Sequence, residues 1–211
     1  MTSLPTDPLS IGRRVIAREA QALTMLGDAL GQSFGDAIGL ILKAQGRVVV
    51  SGMGKSGHIA RKIAATFAST GTPAQFVHPA EASHGDLGMV TPADVLLVLS
   101  NSGETPELAD IVAHSRRFAI PLIGVAGRAG STLLREADVA ILLPPAPEAC
   151  EQGIVPTTST TMTLALGDAL AIATVMTITG SFDHRAIDGA DGAALMSAVK
   201  ALIEAPLGLV A

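Results

Sequence analysis

The sequence contains no tryptophan or tyrosine and only one cysteine, Cys150, among its 211 residues. A lone cysteine excludes a framework of intramolecular disulfides and is typical of a reducing compartment, so we expect a cytoplasmic protein. Aromatic residues make up only 2% of the chain. The core therefore has to be built from aliphatic side chains, which a hydrophobic fraction of 48% supplies.

Long apolar segments and clusters of positive charge are also missing. The longest apolar candidate, residues 162–179, is interrupted by Gly167 and Asp168, so no uninterrupted apolar run reaches the ~18 residues that a membrane span needs. Residues 1–10 lack the basic start of a secretory signal. The net charge is −5 without a basic run, which disfavours nucleic acid as a partner. An apolar, weakly charged chain of this kind suits a homo-oligomer that buries its helices.

The most informative stretch is a valine-rich run that ends in a glycine-rich turn at residues 51–58. Such a run, followed by a turn and a helical pattern, predicts a strand, a loop and a helix. The loop then lies at the carboxyl end of a parallel strand, where open α/β sheets bind ligands. Its backbone N–H groups and the positive end of the helix favour an anion, and Lys55 adds a full charge. The stretch predicts an anion site, with phosphate as the expected anion.

Two nucleotide-binding motifs are only partly matched by this loop. A P-loop requires glycine at the position of Val49, so that pattern fails. Gly52, Gly54 and Gly57 do match the spacing of a dinucleotide-binding loop. That motif also needs an acidic residue about 20 positions later to hold the ribose, and the second predicted strand ends in His78 instead. We therefore do not expect a bound nucleotide.

Strand and helix patterns alternate through most of the chain. Helices are predicted at 8–31, 34–45, 56–70, 106–118, 130–136, 158–178 and 191–204, and strands at 47–51, 74–77, 95–99, 121–125 and 138–143. The alternation predicts an α/β fold with a doubly wound, five-stranded parallel sheet in the flavodoxin-like order 2-1-3-4-5. We divide the chain into N-terminal helices (1–46), a sheet domain (47–180) and a C-terminal helical tail (181–211).

The predicted strand order brings two polar loops together. In that order the direction in which strands are added to the sheet reverses between strands one and three. Ligands bind at this topological switch point. The loop after strand one should there face the loop after strand three, which contains Ser100, Asn101, Ser102 and Thr105. Hydroxyl, amide and N–H groups suit a phosphate monoester, and similar groups recur at 157–161. Such residues also cap helices, but two hydroxyl clusters beside Lys55 favour phosphate binding.

Several segments resemble the sugar isomerase (SIS) domain of D-arabinose 5-phosphate isomerases, over about residues 10–180. The most specific is the histidine segment HPAEASHGDLG at 78–88. The others are GMGKSGH at 52–58, STGTPA at 69–74, SNSGE at 100–104, EAC at 148–150 and PTTSTT at 156–161. The resemblance implies reversible conversion of D-ribulose 5-phosphate to D-arabinose 5-phosphate, which leads to the eight-carbon acid of lipopolysaccharide or capsule. It also implies a homotetramer and no required cofactor.

The resemblance gives roles to individual side chains. It implies that the catalytic residues are Lys55, Glu107, Glu148 and His84. Together with the loop chemistry, it predicts substrate contacts by Ser51, Gly54, Ser56, Gly71, Thr72, His78, Ser100, Asn101, Ser102 and Thr105. An aldose–ketose isomerase needs a base beside the carbonyl carbon, donors for the enediolate oxygen and a group that moves hydroxyl protons. Glu148 is the expected proton carrier, and Lys55 is expected to stabilise either the enediolate or the phosphate.

Other assignments stay open. Glu104 lies in the same loop as Glu107 and could exchange roles with it. In the family, the position of His78 can take inhibitory zinc as well as sugar, although one histidine with scattered acids does not make a metal site. His58 is expected to be structural or a contact between subunits, and His114 to lie on the surface of a helix.

The sequence departs from longer family members near its carboxyl end. They carry a Ser-His-Pro-Gly-Gly-Ala-Leu-Gly stretch with a catalytic histidine, followed by CBS domains. Here Ala190 takes the place of that histidine, and His184 has no matching context. The substrate could therefore be another phosphosugar, such as a hexulose or heptose phosphate. A non-catalytic phosphosugar sensor is a third interpretation, although no DNA-binding pattern precedes the sheet.

Overall fold

A five-stranded parallel sheet organises the protein. The computed structural model describes residues 7–150, 152–176 and 194. The strands are β1 (Val48–Gly52), β2 (Ala74–Val77), β3 (Val95–Leu99), β4 (Leu122–Ala126) and β5 (Val139–Leu142). All neighbouring strands are parallel, in the order β2-β1-β3-β4-β5. The predicted doubly wound sheet and its strand order are confirmed.

Helices cover both faces of this sheet. They are α1 (Pro8–Ala29), α2 (Gln32–Lys43), α3 (Gly54–Ser69), α4 (Pro79–Ser83), α5 (Ala109–Phe118), α6 (Thr132–Glu136) and α7 (Thr158–Met176). The helix predicted at 106–118 is divided, because Pro106–Leu108 forms a 3₁₀ turn before α5 begins. In the described residues, none of the helices has the length and apolar character needed to cross a bilayer. The helix predicted at 191–204 and the tail containing it lie outside the described residues, apart from residue 194.

The sheet separates two hydrophobic layers, because successive strand side chains point to opposite faces. Val48 and Val50 of β1 pack with α1, α2, α3 and α7, whereas Val49 packs with α4, α5 and α6. Every residue of β1, β3 and β4 is buried, as expected for parallel strands covered on both faces. On the first face α7 approaches α3 closely, since a β-carbon on Gly167 would lie 2.2 Å from Cδ1 of Ile63.

His114 lies on α5, as expected, but it is half-buried rather than fully on the surface. Its Nε2 is 3.1 Å from the carbonyl oxygen of Val90. Its ring packs against Phe118, with 4.6 Å between the ring centroids. The side chain therefore contributes to packing around the end of the turn that precedes β3.

Asp94 joins the start of β1 to the turn before β3. Its side chain is 2% exposed and accepts hydrogen bonds from the N–H of Arg47 (2.8 Å), the N–H of Thr91 (2.8 Å) and the Thr91 hydroxyl (3.0 Å). Burial acts to raise the pKa of Asp94, but the bonds from Thr91 and Arg47 outweigh it and lower that pKa. The buried group is therefore a carboxylate at neutral pH.

Substitution of Asp94→Ala is expected to lower the free energy of unfolding at pH 7 by about 2–3 kcal/mol, because buried donors lose their acceptor. A carboxyl group with a lowered pKa contributes its stability above its unfolded pKa, about 3.9. That contribution is lost as the pH falls through the folded pKa. The difference between wild type and variant in urea unfolding should therefore shrink below about pH 4. Exposed Asp110→Ala is the control, with a change within about 0.5 kcal/mol; a difference that stays constant at low pH would contradict the ionised state.

Candidate functional site

A cavity of about 410 Å³ opens at the carboxyl edge of the sheet, among the loops that follow β1, β3 and β5. This is the switch point of the strand order, since β1 and β3 are neighbours. The volume lies in the range of small-molecule sites, about 300–1,000 Å³. The lining residues are Met53, Lys55, Ser56, Asn101, Ser102, Thr105, Glu148, Gly153, Pro156, Ser159, Thr160 and Thr163. The two loops predicted to converge therefore meet around one cavity.

The loop after β1 folds tightly. Gly54 has a φ of +58°, a left-handed conformation that favours glycine. A β-carbon on Gly57 would lie 2.6 Å from the carbonyl oxygen of Gly52, so a larger residue would push α3 away from β1. The glycine spacing thus serves a close strand-to-helix turn, which brings Lys55 and Ser56 to the cavity.

The amino ends of two helices border the cavity. Helix α3 contributes Lys55 and Ser56, and α7 contributes Ser159, Thr160 and Thr163. Helix amino ends carry unpaired N–H groups and partial positive charge. Within the described residues, no side chain caps α3, and Lys55 is the one cation that lines the cavity. This arrangement favours a doubly negative group such as a phosphate monoester.

The loop after β3 is ordered by its own hydroxyl groups. Ser100 Oγ accepts a hydrogen bond from the N–H of Gly103 (3.0 Å) and lies 2.8 Å from Thr105 Oγ1. Gly103 has a φ of +65°, which allows the chain to turn there. These contacts fix the loop without a ligand, and they present Asn101, Ser102 and Thr105 to the cavity.

Among the residues that the structure describes, Glu148 is the one acid that lines the cavity, and hydrogen-bond donors surround its carboxylate. Its Oε2 accepts from the N–H of Thr157 (2.8 Å), the Thr157 hydroxyl (3.2 Å) and the N–H of Ser159 (3.3 Å). Its Oε1 accepts from the Ser159 hydroxyl (2.5 Å). Arg18 of α1 donates to the backbone carbonyl of Glu148 (3.2 Å). The carboxylate therefore has a defined position before any ligand binds.

These hydrogen bonds set the charge of Glu148. Partial burial acts to raise the pKa of its carboxyl group, but the donors of Ser159 and Thr157 outweigh burial and hold the pKa below its ordinary value. Glu148 is therefore ionised at neutral pH and able to accept a proton. The cavity thus combines an anion site with a base.

Substitution of Ser159→Ala is expected to raise the pKa of Glu148, because the carboxylate loses the hydroxyl donor that most lowers it. The measurement is a titration of the Glu148 carboxyl carbon by ¹³C NMR, with the signal assigned from Glu148→Gln. Thr174→Ala is the matched control, since the Thr174 hydroxyl donates within α7, to the carbonyl oxygen of Leu170 (2.7 Å). Equal pKa values in both variants would contradict the role given to Ser159.

The cavity includes six of the predicted site residues, namely Lys55, Ser56, Asn101, Ser102, Thr105 and Glu148. Gly54 and Ser100 shape the loops without lining the cavity. Ser51 is fully buried, and its hydroxyl donates to the carbonyl oxygen of Val77 on β2 (2.8 Å). That side chain supports the sheet edge rather than facing a ligand.

Gly71 and Thr72 lie at the opposite edge of the sheet. They precede β2, whose first residue Ala74 pairs with Val48 at the start of β1. The cavity lies at the carboxyl ends of the strands, roughly 13 Å away along β1. Within one chain, the two residues therefore do not reach a ligand that contacts Lys55.

Glu107, His84 and His78 also lie outside the lining of the cavity. Glu107 is exposed in the 3₁₀ turn after Thr105, and His84 is exposed at the end of α4. His78 is half-buried beside Phe76, and its Nδ1 has no hydrogen-bond partner among the described residues. Within that part of the chain, no three His, Cys, Asp or Glu side chains are grouped to hold a metal ion. The structure thus offers His78 no co-ligands for zinc there.

The side chain of Glu104 contacts the first residue of a neighbouring helix, α6. Its Oε1 accepts a hydrogen bond from the N–H of Thr132 (3.0 Å) at the start of α6. Contacts with Thr132, first of all through its side chain, lower the pKa of Glu104. This geometry does not support an exchange of roles between Glu104 and Glu107.

The hydroxyl-rich segment at 157–161 has the chemistry of a phosphate site, but its residues are not among the individually predicted site residues. The structure places Ser159 and Thr160 on the cavity, and Thr163 one turn further along α7. Thr157 supports Glu148. Helical spacing from Ser159 and Thr160 is the signal that could have identified Thr163.

Comparison with known proteins gives the family. Residues 40–173 match the family model described as the SIS domain. The chain belongs to the SIS domain family. This result confirms the resemblance drawn from the loop sequences, and the matched SIS domain includes all three loops that surround the cavity.

Three relatives of this SIS domain are informative. Arabinose 5-phosphate isomerase KdsD of Escherichia coli (strain K12) is 52% identical over 162 residues, which are 77% of this chain and 49% of KdsD. E. coli CFT073 c3406 in complex with A5P has a TM-score of 0.78 at 36% identity, covering 92% of this chain and 100% of that one. A putative phosphosugar isomerase involved in capsule formation from Bacteroides fragilis has a TM-score of 0.76 at 38% identity, covering 81% and 91%. The chain spans about half the length of the curated relatives it matches, 49% for KdsD.

Proposed function

We propose that the chain is an aldose–ketose isomerase that interconverts D-ribulose 5-phosphate and D-arabinose 5-phosphate through an enediol intermediate. The observation that carries this proposal is one cavity lined both by Lys55 at a helix amino end and by the ionised, hydrogen-bonded carboxylate of Glu148. The identity to KdsD and the likeness to c3406, whose ligand A5P we take as arabinose 5-phosphate, support the choice of substrate.

The phosphate of the substrate is proposed to bind at the amino end of α3. The first-turn N–H groups there, the Ser56 hydroxyl and the Lys55 ammonium are suited to a phosphate dianion. Ser102 and Thr105, from the facing loop, offer two further hydroxyl donors. A phosphate bound at this point orients the sugar, so that the carbonyl end of the sugar extends toward the remaining polar groups of the cavity.

Glu148 is proposed to carry the proton between C1 and C2. Its carboxylate removes a proton from C1 of ribulose 5-phosphate, and the electron pair forms the C1–C2 double bond of an enediolate with charge on O2. The same carboxyl group returns the proton to C2, while a proton moves from O1 to O2 and C1 becomes the aldehyde. The Asn101 amide lines the cavity and is the proposed donor to the developing O2 charge.

We also propose catalytic roles for Glu107 and His84 and a sugar contact for His78, as the family resemblance implies. None of the three lines the cavity of a single chain, so these roles depend on contacts made in an assembly. A homotetramer is part of the proposal for the same reason. A cytoplasmic location is proposed as well, because phosphosugar substrates and a single free cysteine both suit that compartment.

A substrate panel tests the proposed reaction. The protein, treated with a chelator, is incubated separately with ribulose 5-phosphate, fructose 6-phosphate and sedoheptulose 7-phosphate, and products are identified by NMR. We expect turnover of ribulose 5-phosphate to arabinose 5-phosphate, with little turnover of the longer ketoses. Formation of ribose 5-phosphate would contradict the proposed product. Preference for a longer ketose would contradict the proposed substrate. Binding without turnover of any of them would identify a sensor.

A further inference from the structure

Arg18 links helix α1 to the backbone of the proposed base. Its Nη1 donates a hydrogen bond to the carbonyl oxygen of Glu148 (3.2 Å), although the two residues are 130 positions apart in the sequence. The side chain of Arg18 is half-buried, and a charged group withdrawn from water needs hydrogen-bond acceptors of this kind. Arg18 also precedes residues 40–173, the part of the chain that matches the SIS family model. The contact therefore reaches the SIS domain from outside the matched segment.

The helical spacing of α1 explains why Arg18 points inward. Ala22 and Leu26, one and two turns further along, are buried and pack on α7. Residues four apart lie on the same face of a helix, so Arg18 continues this inward face toward the amino end of α1. There the face extends past the core to the loop that carries Glu148. The position of Arg18 thus follows from the packing of α1 on α7.

A cavity of about 400 Å³ lies between α1 and this loop. It is lined on one side by Ile11, Arg14 and Val15 of α1, and on the other by Ala149, Cys150, Gln152, Val155 and Thr157. Arg18 lies one turn beyond Val15, and Glu148 precedes Ala149, so their hydrogen bond joins the two elements at the border of this space. Because side chains do not fill the space, packing resists motion of the loop there less than it would in a close-packed interior.

The Glu148 residue is held at two points. Arg18 binds its backbone carbonyl, whereas Thr157 and Ser159, at the start of α7, donate to its carboxylate. Release of the backbone would let the carboxylate leave the position from which it reaches the substrate, and a displacement of about 1 Å can cost up to about 10²-fold in rate. Within the described residues Arg18 does not line the substrate cavity. Any effect of Arg18 on the reaction therefore passes through Glu148.

We propose that Arg18 is a positioning residue, which holds the backbone of Glu148 so that the carboxylate stays where proton transfer takes place. This inference rests on the proposed function, because it takes Glu148 as the base. The hold on the loop is measured without substrate, so the inference and the proposed reaction can fail separately.

The first test measures amide hydrogen exchange by NMR in Arg18→Met. The N–H groups of Thr157 and Ser159 bind the Glu148 carboxylate (2.8 and 3.3 Å), so they should exchange about 10-fold faster once the loop opens more often. Arg13→Met is the matched control, since Arg13 is exposed on the same helix, and its exchange should equal that of the wild type. Circular dichroism and sedimentation check that fold and mass are unchanged. Wild-type exchange rates in Arg18→Met would overturn the proposal.

The second test is a double-mutant cycle on the conversion of ribulose 5-phosphate. Arg18→Met is expected to lower kcat about 10-fold with little change in KM, because the phosphate site is left intact. In the Glu148→Gln background the same substitution should change kcat less than about twofold, since no carboxylate remains to be positioned. Arg18→Lys can still donate to the carbonyl oxygen and should recover part of the rate.

The outcomes separate the two proposals. A loss of kcat that is equally large in the Glu148→Gln background, or an effect on KM alone, would show that Arg18 does not act through Glu148 and would overturn the inference. If the wild type does not convert ribulose 5-phosphate, the proposed reaction fails. The exchange rates of Thr157 and Ser159 then decide by themselves whether Arg18 holds the loop of Glu148.

Discussion

Substitution of Glu148→Gln is expected to lower kcat for the conversion of ribulose 5-phosphate by about 10²–10⁴-fold. Glutamine keeps the size of the side chain but cannot accept and return a proton. The neutral side chain also removes the negative charge that the donors of Thr157 and Ser159 hold in place. Since the phosphate is bound elsewhere in the cavity, KM should change much less than kcat.

Three comparisons make this result specific. Glu104→Gln is the matched control, because Glu104 caps α6 outside the cavity, and its kcat should stay close to wild type. Glu148→Asp keeps the charge on a shorter side chain and should recover part of the activity. Thermal unfolding checks that Glu148→Gln is folded. A folded Glu148→Gln protein with the wild-type rate would remove Glu148 from the reaction.

Substitution of Lys55→Met is expected to raise KM for the phosphosugar by about 10²-fold or more. A phosphate dianion that loses Lys55, the one cation that lines the cavity within the described part of the chain, loses a charge-assisted hydrogen bond and Coulomb attraction, together worth about 3–4 kcal/mol. The affinity of the wild type should also fall with added salt, and that dependence should weaken in the variant.

Lys62→Met is the matched control for Lys55→Met. Lys62 lies on the same helix, two turns further on, where it pairs with Asp168 (2.5 Å) on α7. Its loss should leave KM unchanged. A fall in kcat without a change in KM for Lys55→Met would contradict phosphate binding by Lys55 and assign it to the enediolate instead.

The sequence predicted the fold where the local pattern and the global topology agree. The strands β2 and β3 begin and end at the predicted residues, because both are short, largely apolar runs bounded by turn residues. The strand order followed from the alternation of strands and helices, and it correctly brought the loops of Lys55 and Ser102 to one cavity. The five-residue helix α4 was missed, since so short a helix shows no periodicity.

Contacts distant in sequence were less predictable. Glu104 bonds to Thr132 on another helix, and no local pattern relates the two. Glu148 is held by Thr157 and Ser159 across a proline-rich loop whose path depends on the packing of α7. The position of Gly71 and Thr72 at the far edge could have been inferred, because a loop that leads into a parallel strand lies at its amino end.

The most direct measurement of the proposed reaction is isomerisation of ribulose 5-phosphate in heavy water, followed by NMR of the arabinose 5-phosphate formed. The proton held by Glu148 exchanges with solvent while the enediol is bound, so proton transfer by Glu148 predicts deuterium at C2 of the product, and no deuterium incorporation with Glu148→Gln over the same time. Absence of turnover and exchange in the wild type, or turnover that proceeds equally in Glu148→Gln, would contradict the proposed role of this cavity.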